Sequence, residues 1–286
     1  MNPAAAAETS PAALDEPLRA RRPGPLRELF RFRQLIQVLV VRELKVRYKR
    51  SVLGLFWTML NPLVLMVVYT VVFSTIMPTT QKNFSIFLLG GLLPWIFFAT
   101  AVMQGITSVL TNQDLIRKVR VPQAVFPLSV VASNLVNFAL SLAPLFLLMA
   151  VLDQPFTRAL FFLPVGTLIV ALFTSGVTLL LASFTVFFRD VRHLTEVFLQ
   201  VLFYLSPVLY SLEQLQGRDQ WWFRAFRTAL DVNPLSYLVP MVRDPVYYGR
   251  LPALPTLAVA SALAVVTLLA GFRVFVKLEP RHIHHF

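Results

Sequence analysis

The sequence predicts an all-α membrane protein with six transmembrane helices, and its composition supports this fold class. Of its 286 residues, 57% are hydrophobic and only 14% are charged, whereas soluble domains carry about 25% charged residues. The apolar residues fall into six runs without a charged residue, and a transmembrane helix needs about 20 apolar residues. The runs cover residues 51–81, 83–113, 121–152, 159–188, 197–212 and 251–272.

Two segments precede the first run. Residues 1–25 are rich in Ala, Pro and Arg, which is typical of a disordered tail. Residues 26–50 predict a cytoplasmic amphipathic interface helix, because apolar residues recur there at helical spacing. These residues are Phe32, Leu35, Ile36 and Leu39. A basic helix of this kind lies in the headgroup plane; it can act as an anchor for the first span or as a docking site for a partner.

The fifth run and the segment after it are irregular. Run 197–212 is short and contains Pro207, so it spans the membrane only with residues 194–196 and a kink or a thin bilayer. Residues 213–250 combine aromatic residues with prolines, which predicts short broken helices at the membrane edge before the last span. Such backbone needs protein or a water-filled cavity around it. The alternative is an interfacial aromatic belt.

Lysine and arginine placement predicts the topology of the domain, residues 51–278. Eleven basic residues precede residue 51, three lie at 113–120, two at 189–196 and three after residue 272. The alternate loops hold one each, and the five arginines of 213–250 are nearly balanced by four acids. The positive-inside rule then places both termini, including a tail at 279–286, in the cytoplasm. With a net charge of +12, basic residues beside apolar runs indicate lipid headgroups as partners, and no nucleic acid.

Several classes of chemistry are excluded. The chain has no cysteine, which rules out disulfides and thiolate sites. None of its ten glycines is followed by lysine, so the Gly-Lys-Ser/Thr phosphate loop is absent. The apolar middles of the runs hold no ionisable residue, which argues against proton-coupled carriers and intramembrane hydrolases. We therefore predict no catalytic residue and no cofactor bound by this chain. Active transport would take its energy from another polypeptide.

Histidines are the remaining candidate metal ligands. His282, His284 and His285 lie close together in the sequence, but without an acid or cysteine beside them a polar tail is the preferred interpretation. His193 falls in a basic loop, where a solvated side chain is expected. We predict no metal site.

Aromatic residues within the spans are candidates for a channel lining. Aromatic rings stack on the apolar faces of sugars without requiring one orientation, which suits a moving polymer. The alternative is contact with lipid or with other helices. The candidates are Phe56, Trp57, Trp95, Phe98, Phe203 and Tyr204.

The loop of residues 112–122 predicts a short helix that projects into the cytoplasm. Asn112 or Asp114 can cap its start, and Pro122 restricts its end. Such a helix is a candidate contact for a motor subunit, and the alternative is an ordinary positive-inside loop.

Several motifs occur in one order along residues 28–278. They are the basic run 42–54 leading to Trp57, Asn61-Pro62, Gly90-Gly91-Leu92-Leu93-Pro94-Trp95, the loop 112–122, Arg189-Asp190-Val191 and Asn233-Pro234-Leu235. In this order and spacing the chain resembles the membrane subunit of ABC-2 type exporters. The nearest branch exports O-antigen, capsule or teichoic-acid polysaccharides.

The resemblance implies a homodimer in the bacterial inner membrane, with two copies of a cytoplasmic ABC ATPase that uses ATP and Mg. The substrate it implies is a lipid-linked glycan; the alternatives are a drug or small lipid, or an ATP-independent channel or scaffold. It also implies that the interface helix and the 112–122 loop contact the ATPase, and that 213–250 forms gate helices at the outer face. The implied coupling residues are Arg42, Glu43, Lys45, Arg47, Asp114, Arg117, Lys118 and Arg120. The implied gate residues are Trp221, Trp222, Asn233, Pro234 and Tyr237.

Overall fold

The computed structural model is mostly helical over the residues that it describes. It describes residue 29 and residues 31–49, 56–75, 82–119, 121–211 and 221–282. These residues contain helices and no strand, which confirms the all-α prediction. The predictions for the tail 1–25, for Arg120, for His284 and His285 and for the side chain of Phe56 lie outside the described residues.

The helices follow the apolar runs. They are α1 Arg33–Tyr48, α2 Phe56–Thr75, α3 Phe84–Gly105, α4 Ser108–Thr111, α5 Gln113–Lys118, α6 Val125–Val151, α7 Leu163–Phe187, α8 Val191–Tyr204, α9 Trp221–Val232, α10 Leu235–Leu238, α11 Pro240–Arg243 and α12 Leu254–His282. A 3-10 helix at Arg158–Phe162 precedes α7, and a π-helix at Asp244–Tyr248 follows α11.

Within the described residues, four helices are long and apolar enough to cross a membrane. They are Phe84–Gly105, Val125–Val151, Arg158–Phe187 and Leu254–His282, and they coincide with the second, third, fourth and sixth runs. Helix α2 has 20 residues inside the first run. Helix α8 has 14 residues, a length of about 21 Å, against a hydrocarbon layer of about 30 Å.

The α8 break, residues 205–211, is where the fifth run leaves helical geometry. Helix α8 begins at Val191, among polar residues, and ends at Tyr204, before Pro207. The missing amide of proline and its clash with the preceding turn explain why the helix does not continue.

Helix α3 lies at the centre of the bundle, and most of its residues are buried on all sides. It packs against α6 and α7, while α7 packs along α12. The α7–α12 contact depends on two glycines, because a Cβ at Gly271 would lie 2.1 Å from the carbonyl oxygen of Gly176. Small residues of this kind let membrane helices approach closely.

Helix α1 buries its apolar side against the protein. Leu39 forms a buried cluster with Val125 and Phe126 at the start of α6, and the other apolar residues of the predicted helical face also pack there. These are Phe32, Leu35 and Ile36. The apolar periodicity of this segment therefore matches contacts with α6.

The end of α12 packs against the start of α6. The backbone N–H of Gln123 donates to Glu279 Oε1 at 2.7 Å, and Gln123 Oε1 lies 2.8 Å from His282 Nδ1. His282 is fully buried, with Phe187 and Phe275 around its ring. From the sequence this histidine was expected in a polar tail, but α12 extends to His282 and the histidine side chain is buried.

Candidate coupling and gate sites

Arg47 connects the end of α1 to two other helices. Its guanidinium donates to Asn134 Oδ1 of α6 at 3.2 Å and to Gln104 Oε1 of α3. The Asn134 amide in turn donates to Gln104 Oε1 at 3.0 Å and to the Val130 carbonyl at 2.9 Å. We call these three side chains the Arg47 network. Arg47 and Gln104 are not buried, so water can replace the hydrogen bond between them at low cost, whereas Asn134 is only 3% exposed.

The other implied coupling residues on α1 differ in exposure. Arg42 and Lys45 are exposed, and Glu43 is half-buried. Their side chains are therefore placed at the surface, whereas Arg47 turns into the bundle.

Helix α5 occupies the predicted loop helix. Asp114, Arg117 and Lys118 are exposed, while Leu115 and Ile116 pack against the same Leu39–Val125–Phe126 cluster as α1. The structure thus brings α1 and α5 together on one apolar cluster. The predicted side-chain cap is wrong: no side chain caps α5, and Asn112 donates to the Ser108 carbonyl instead.

A cleft of about 150 Å³ adjoins the Arg47 network. Trp57, Phe97 and Phe138 supply aromatic walls, and Asn134, Asn137 and Ser141 supply polar groups. These polar residues share one face of α6, since they are spaced by three and four positions. The cleft therefore offers both hydrogen-bonding groups and rings.

The predicted channel residues separate into two groups. Trp57 and Tyr204 are 53% and 63% exposed, whereas Trp95 and Phe98 are buried in the bundle. The half-buried ring of Phe203 links the groups, at 5.3 Å from both Trp95 and Tyr204. Trp57 lies in the cleft with Arg47, apart from this ring chain.

Helix α9 presents two of the predicted gate residues. Trp221 and Trp222 are exposed, and the Trp222 ring stacks on the buried Phe223 at 3.8 Å. One side of α9 buries Phe223 and Leu230 while most of the helix stays exposed. The helix therefore lies on the surface of the bundle.

Asn233 ties the chain after α9 to the α8 break. Its amide donates to the Leu205 carbonyl and to Ser206 Oγ, both at 3.0 Å. Its Oδ1 accepts from the Leu235 backbone N–H at 2.9 Å. Pro234 then starts α10, and the Tyr237 hydroxyl donates to the Asp231 carbonyl at 2.9 Å.

Arg243 is the functional candidate that sequence reasoning missed. Its side chain is 5% exposed, and its two terminal nitrogens donate to the carbonyls of Pro207 and Val208, each at 2.6 Å. The Phe87 ring lies 4.0 Å from its guanidinium carbon. Burial lowers the pKa of Arg243 to about 10, so it stays protonated at neutral pH. Arg243 is the one arginine between residues 233 and 249, a stretch rich in proline and tyrosine, and this was the available signal.

A second set of hydrogen bonds holds the π-helix. The Tyr247 hydroxyl donates to the Lys82 carbonyl at 2.7 Å, and the Gln154 amide donates to the Tyr247 carbonyl at 2.8 Å. Asn83, in a left-handed conformation with φ 54°, donates to Gln154 Oε1 at 2.9 Å. The 233–249 segment is therefore attached to the start of α3 as well as to the α8 break.

Comparison with known proteins identifies the family. The sequence profile of the ABC-2 type transporter matches residues 34–247. The chain is 39% identical over 250 residues to the O-antigen export system permease protein RfbA of Myxococcus xanthus, covering 87% of this chain and 94% of that protein. It is 27% identical to a protein of the same name from Klebsiella pneumoniae, over 86% of this chain and 93% of that protein.

A more distant relative points in the same direction. The polysialic acid transport protein KpsM of Escherichia coli is 23% identical over 84% of this chain and 92% of its own length. The profile match spans well over half of the chain, and it contains the Arg47 network, α5, the α8 break and Arg243. The chain therefore belongs to the ABC-2 type transporter family.

Proposed function

We propose that this chain is the membrane permease of an ATP-driven exporter that moves a lipid-linked polysaccharide from the cytoplasm across the bacterial inner membrane. The observation that carries the proposal is similarity along nearly the whole length of an O-antigen export permease. Similarity to a polysialic acid transport protein supports the same class of cargo. The chain itself performs no covalent chemistry in this proposal.

A separate ABC ATPase supplies the energy in this proposal, using ATP and Mg. No glycine in the chain is followed by lysine, and a phosphate loop requires that pair. Two ATPase copies would serve a homodimer of this chain. The exposed charges of α1 and α5 are the proposed contacts, since both helices rest on one apolar cluster.

The Arg47 network is the proposed route from the ATPase into the bundle. Movement of α1 displaces Arg47, which is hydrogen-bonded to α3 and α6. Each of these two helices is long and apolar enough to span the membrane. Movement of α1 would therefore be transmitted to two spans, α3 and α6, through the Arg47 side chain.

The finer topology is also part of the proposal. We infer six spans, with α2 and the α8 region added to the four long apolar helices, and both termini in the cytoplasm. The length of α2 and the clustering of basic residues beside alternate runs support this arrangement.

The proposed glycan path uses the exposed aromatic residues. Trp57 and Tyr204 present rings at the bundle surface, where a second copy of the chain would enclose a channel. Trp95 and Phe98 support the lining from within, through Phe203. Trp221 and Trp222 would form the outer gate.

Reconstitution tests the function. The purified chain is placed in vesicles containing a lipid-linked polysaccharide, with and without the ABC ATPase that co-purifies with it. We expect ATP to move glycan across the membrane only when both polypeptides are present, as measured by protection from an added glycosidase. Glycan movement by the chain alone, with or without ATP, would contradict the proposal.

The same vesicles separate the proposed cargo from the alternatives. If ATP drives export of a hydrophobic drug or short lipid but not of the glycan, the cargo assignment is wrong while the permease assignment stands. Ion conductance through the isolated chain would indicate a channel.

A further inference from the structure

Helix α8 ends at Tyr204, and after the Leu205 N–H, which still donates to the Val201 carbonyl, the chain leaves the helical hydrogen-bond pattern. The carbonyl of Val208 lies beside α3, 3.0 Å from the position of a Cβ built at Gly91. Pro207 and Val208 are buried, and buried carbonyls need hydrogen-bond donors. In an apolar layer this need is stronger, because water is absent.

Side chains of the 233–249 segment supply those donors. Asn233 donates to Leu205, and Arg243 donates to both Pro207 and Val208. Arg243 thus serves two acceptors with one planar group, which a guanidinium does better than an ammonium. These three carbonyls of the α8 break therefore receive their hydrogen bonds from side chains of the 233–249 segment.

Helix α3 is shaped to receive the same guanidinium. A Cβ at Gly91 would lie 1.8 Å from Arg243 Nη2, and a Cβ at Gly90 would lie 3.3 Å from the Arg243 Cα. Phe87, one turn earlier on α3, places its ring against the charge. Gly90 and Gly91 lie about 10 Å inside the start of α3.

We infer that Arg243 is a positioning residue that joins the 233–249 segment, the α8 break and α3 into one unit that moves together during export. Breaking the two hydrogen bonds of the guanidinium would leave a buried charge and two buried carbonyls without partners. This is strongly unfavourable. The unit therefore stays intact through the cycle. Movement at this end of the molecule takes place at α9 or between protomers.

The inference rests on the proposed function, in which the gate helices predicted for residues 213–250 form the outer gate. It divides that gate into a fixed part and a moving part. The 233–249 segment is fixed to the bundle by Arg243, Asn233 and Tyr247, whereas α9 lies on the surface with its tryptophans exposed. The opening part would then be α9.

The first test substitutes Arg243 in the full chain, in complex with its ATPase. We expect Arg243→Met to lower export at least about tenfold, and Arg243→Lys to restore part of it, since an ammonium can reach one of the two carbonyls. Arg250→Met is the matched control: Arg250 lies on the same stretch but is exposed beside Tyr248, and its export should match wild type. Export by Arg243→Met at the wild-type level would overturn the inference.

A distance measurement separates positioning from general loss of structure. The chain has no cysteine, so Val201→Cys on α8 and Leu251→Cys after the segment can be spin-labelled without background. Labelled chain is diluted with unlabelled chain, so that only distances within one protomer are read. We expect one narrow distance in the wild-type background and a broad distribution with Arg243→Met. A narrow, unchanged distance in that variant would contradict the inference.

Gly91→Ala disturbs the same contact from the α3 side. It is the alternative test if Arg243→Met does not fold. Its methyl group displaces the guanidinium, so we expect loss of export and a broadened Val201–Leu251 distance. Combined with Arg243→Lys, its effect should be less than additive. Wild-type export and a narrow distance in Gly91→Ala would overturn the inference. The distance test does not depend on the cargo, so failure of glycan export by the wild-type chain would affect the proposed function alone.

Discussion

The two ends of α3 each receive an arginine, and the two arginines are held in opposite ways. Gln104 meets Arg47 near one end and Gly91 meets Arg243 near the other, about 20 Å apart along the helix. Arg47 is half-buried and bonded to the amide side chains of Asn134 and Gln104, whereas Arg243 is buried and bonded to backbone carbonyls. The first arrangement can exchange partners with water; the second cannot without a large penalty.

This difference assigns distinct mechanical roles to the two ends. In our account the Arg47 end is where movement of the ATPase enters, and its hydrogen bonds form and break in each cycle. The Arg243 end keeps a broken stretch of chain in place so that movement of α3 is transmitted to a rigid gate support. Variants at each end of α3 test whether the two arginines differ in this way.

Outside Arg243 itself, the largest effect on stability is expected at Asn233, whose amide also donates to a carbonyl of the α8 break. Asn233→Ala leaves the Leu205 carbonyl without the Asn233 amide and the Leu235 N–H without its side-chain acceptor, at a cost of about 1–3 kcal/mol in the free energy of unfolding. Thermal unfolding of the detergent-solubilised chain measures it. Asn112→Ala, which removes one bond at a half-buried amide, is the control and should cost less. Equal costs would contradict the rigid role of the break.

Arg47→Gln should change coupling with little change in stability. It removes the hydrogen bonds that reach Asn134 and Gln104, so we expect export to fall about tenfold while ATP hydrolysis continues near the wild-type rate. Both rates are measured in vesicles. Lys49→Gln, an exposed neighbour, should export normally. Loss of export and hydrolysis together in Arg47→Gln, or loss in Lys49→Gln, would count against the Arg47 network as the route.

The combined replacement of Arg117, Lys118 and Arg120 by Ala should produce a smaller effect. Exposed charges contribute about 0–1 kcal/mol each, so we expect a several-fold weaker ATPase affinity in a binding titration. Arg189→Ala with Arg192→Ala removes two exposed charges outside α5 and is the control. Unchanged ATPase binding in the triple variant would remove α5 from the contact.

Tyr247→Phe should have the smallest effect. It deletes one hydrogen bond to the Lys82 carbonyl, a contribution of about 0.5–1.5 kcal/mol, while Arg243 still holds the segment. The unfolding midpoint should shift by a few degrees at most and export should persist. A loss of export as large as that of Arg243→Met would mean that Tyr247, rather than Arg243, holds the segment.

The sequence predicted the long spans well, because an uninterrupted apolar run has few alternatives to a membrane helix. Runs 83–113 and 121–152 contain α3 and α6, and the apolar periodicity around Leu39 matches the buried side of α1. The fifth run was harder. Its helix starts among polar residues at Val191 and ends before Pro207, so a charge-free window misplaced both ends.

Side-chain partners distant in sequence could not be predicted. Arg243 reaches residues 36 and 35 positions away, and from the sequence it counted only as one of five arginines in a segment of nearly balanced charge. His282 looked polar by composition, but its partner Gln123 lies 159 positions away. Among the aromatic candidates, nothing in the sequence separated the exposed Tyr204 from the buried Trp95.

One measurement compares the two ends directly: pulsed electron resonance on the complex with its ATPase, with and without bound nucleotide. One label pair, Val41→Cys on α1 and Val136→Cys on α6, reports the Arg47 end, and the pair at Val201 and Leu251 reports the Arg243 end; all four positions are exposed. Our account predicts that nucleotide shifts the first distance and leaves the second unchanged. A fixed α1–α6 distance, or a shift in the Val201–Leu251 distance, would contradict it.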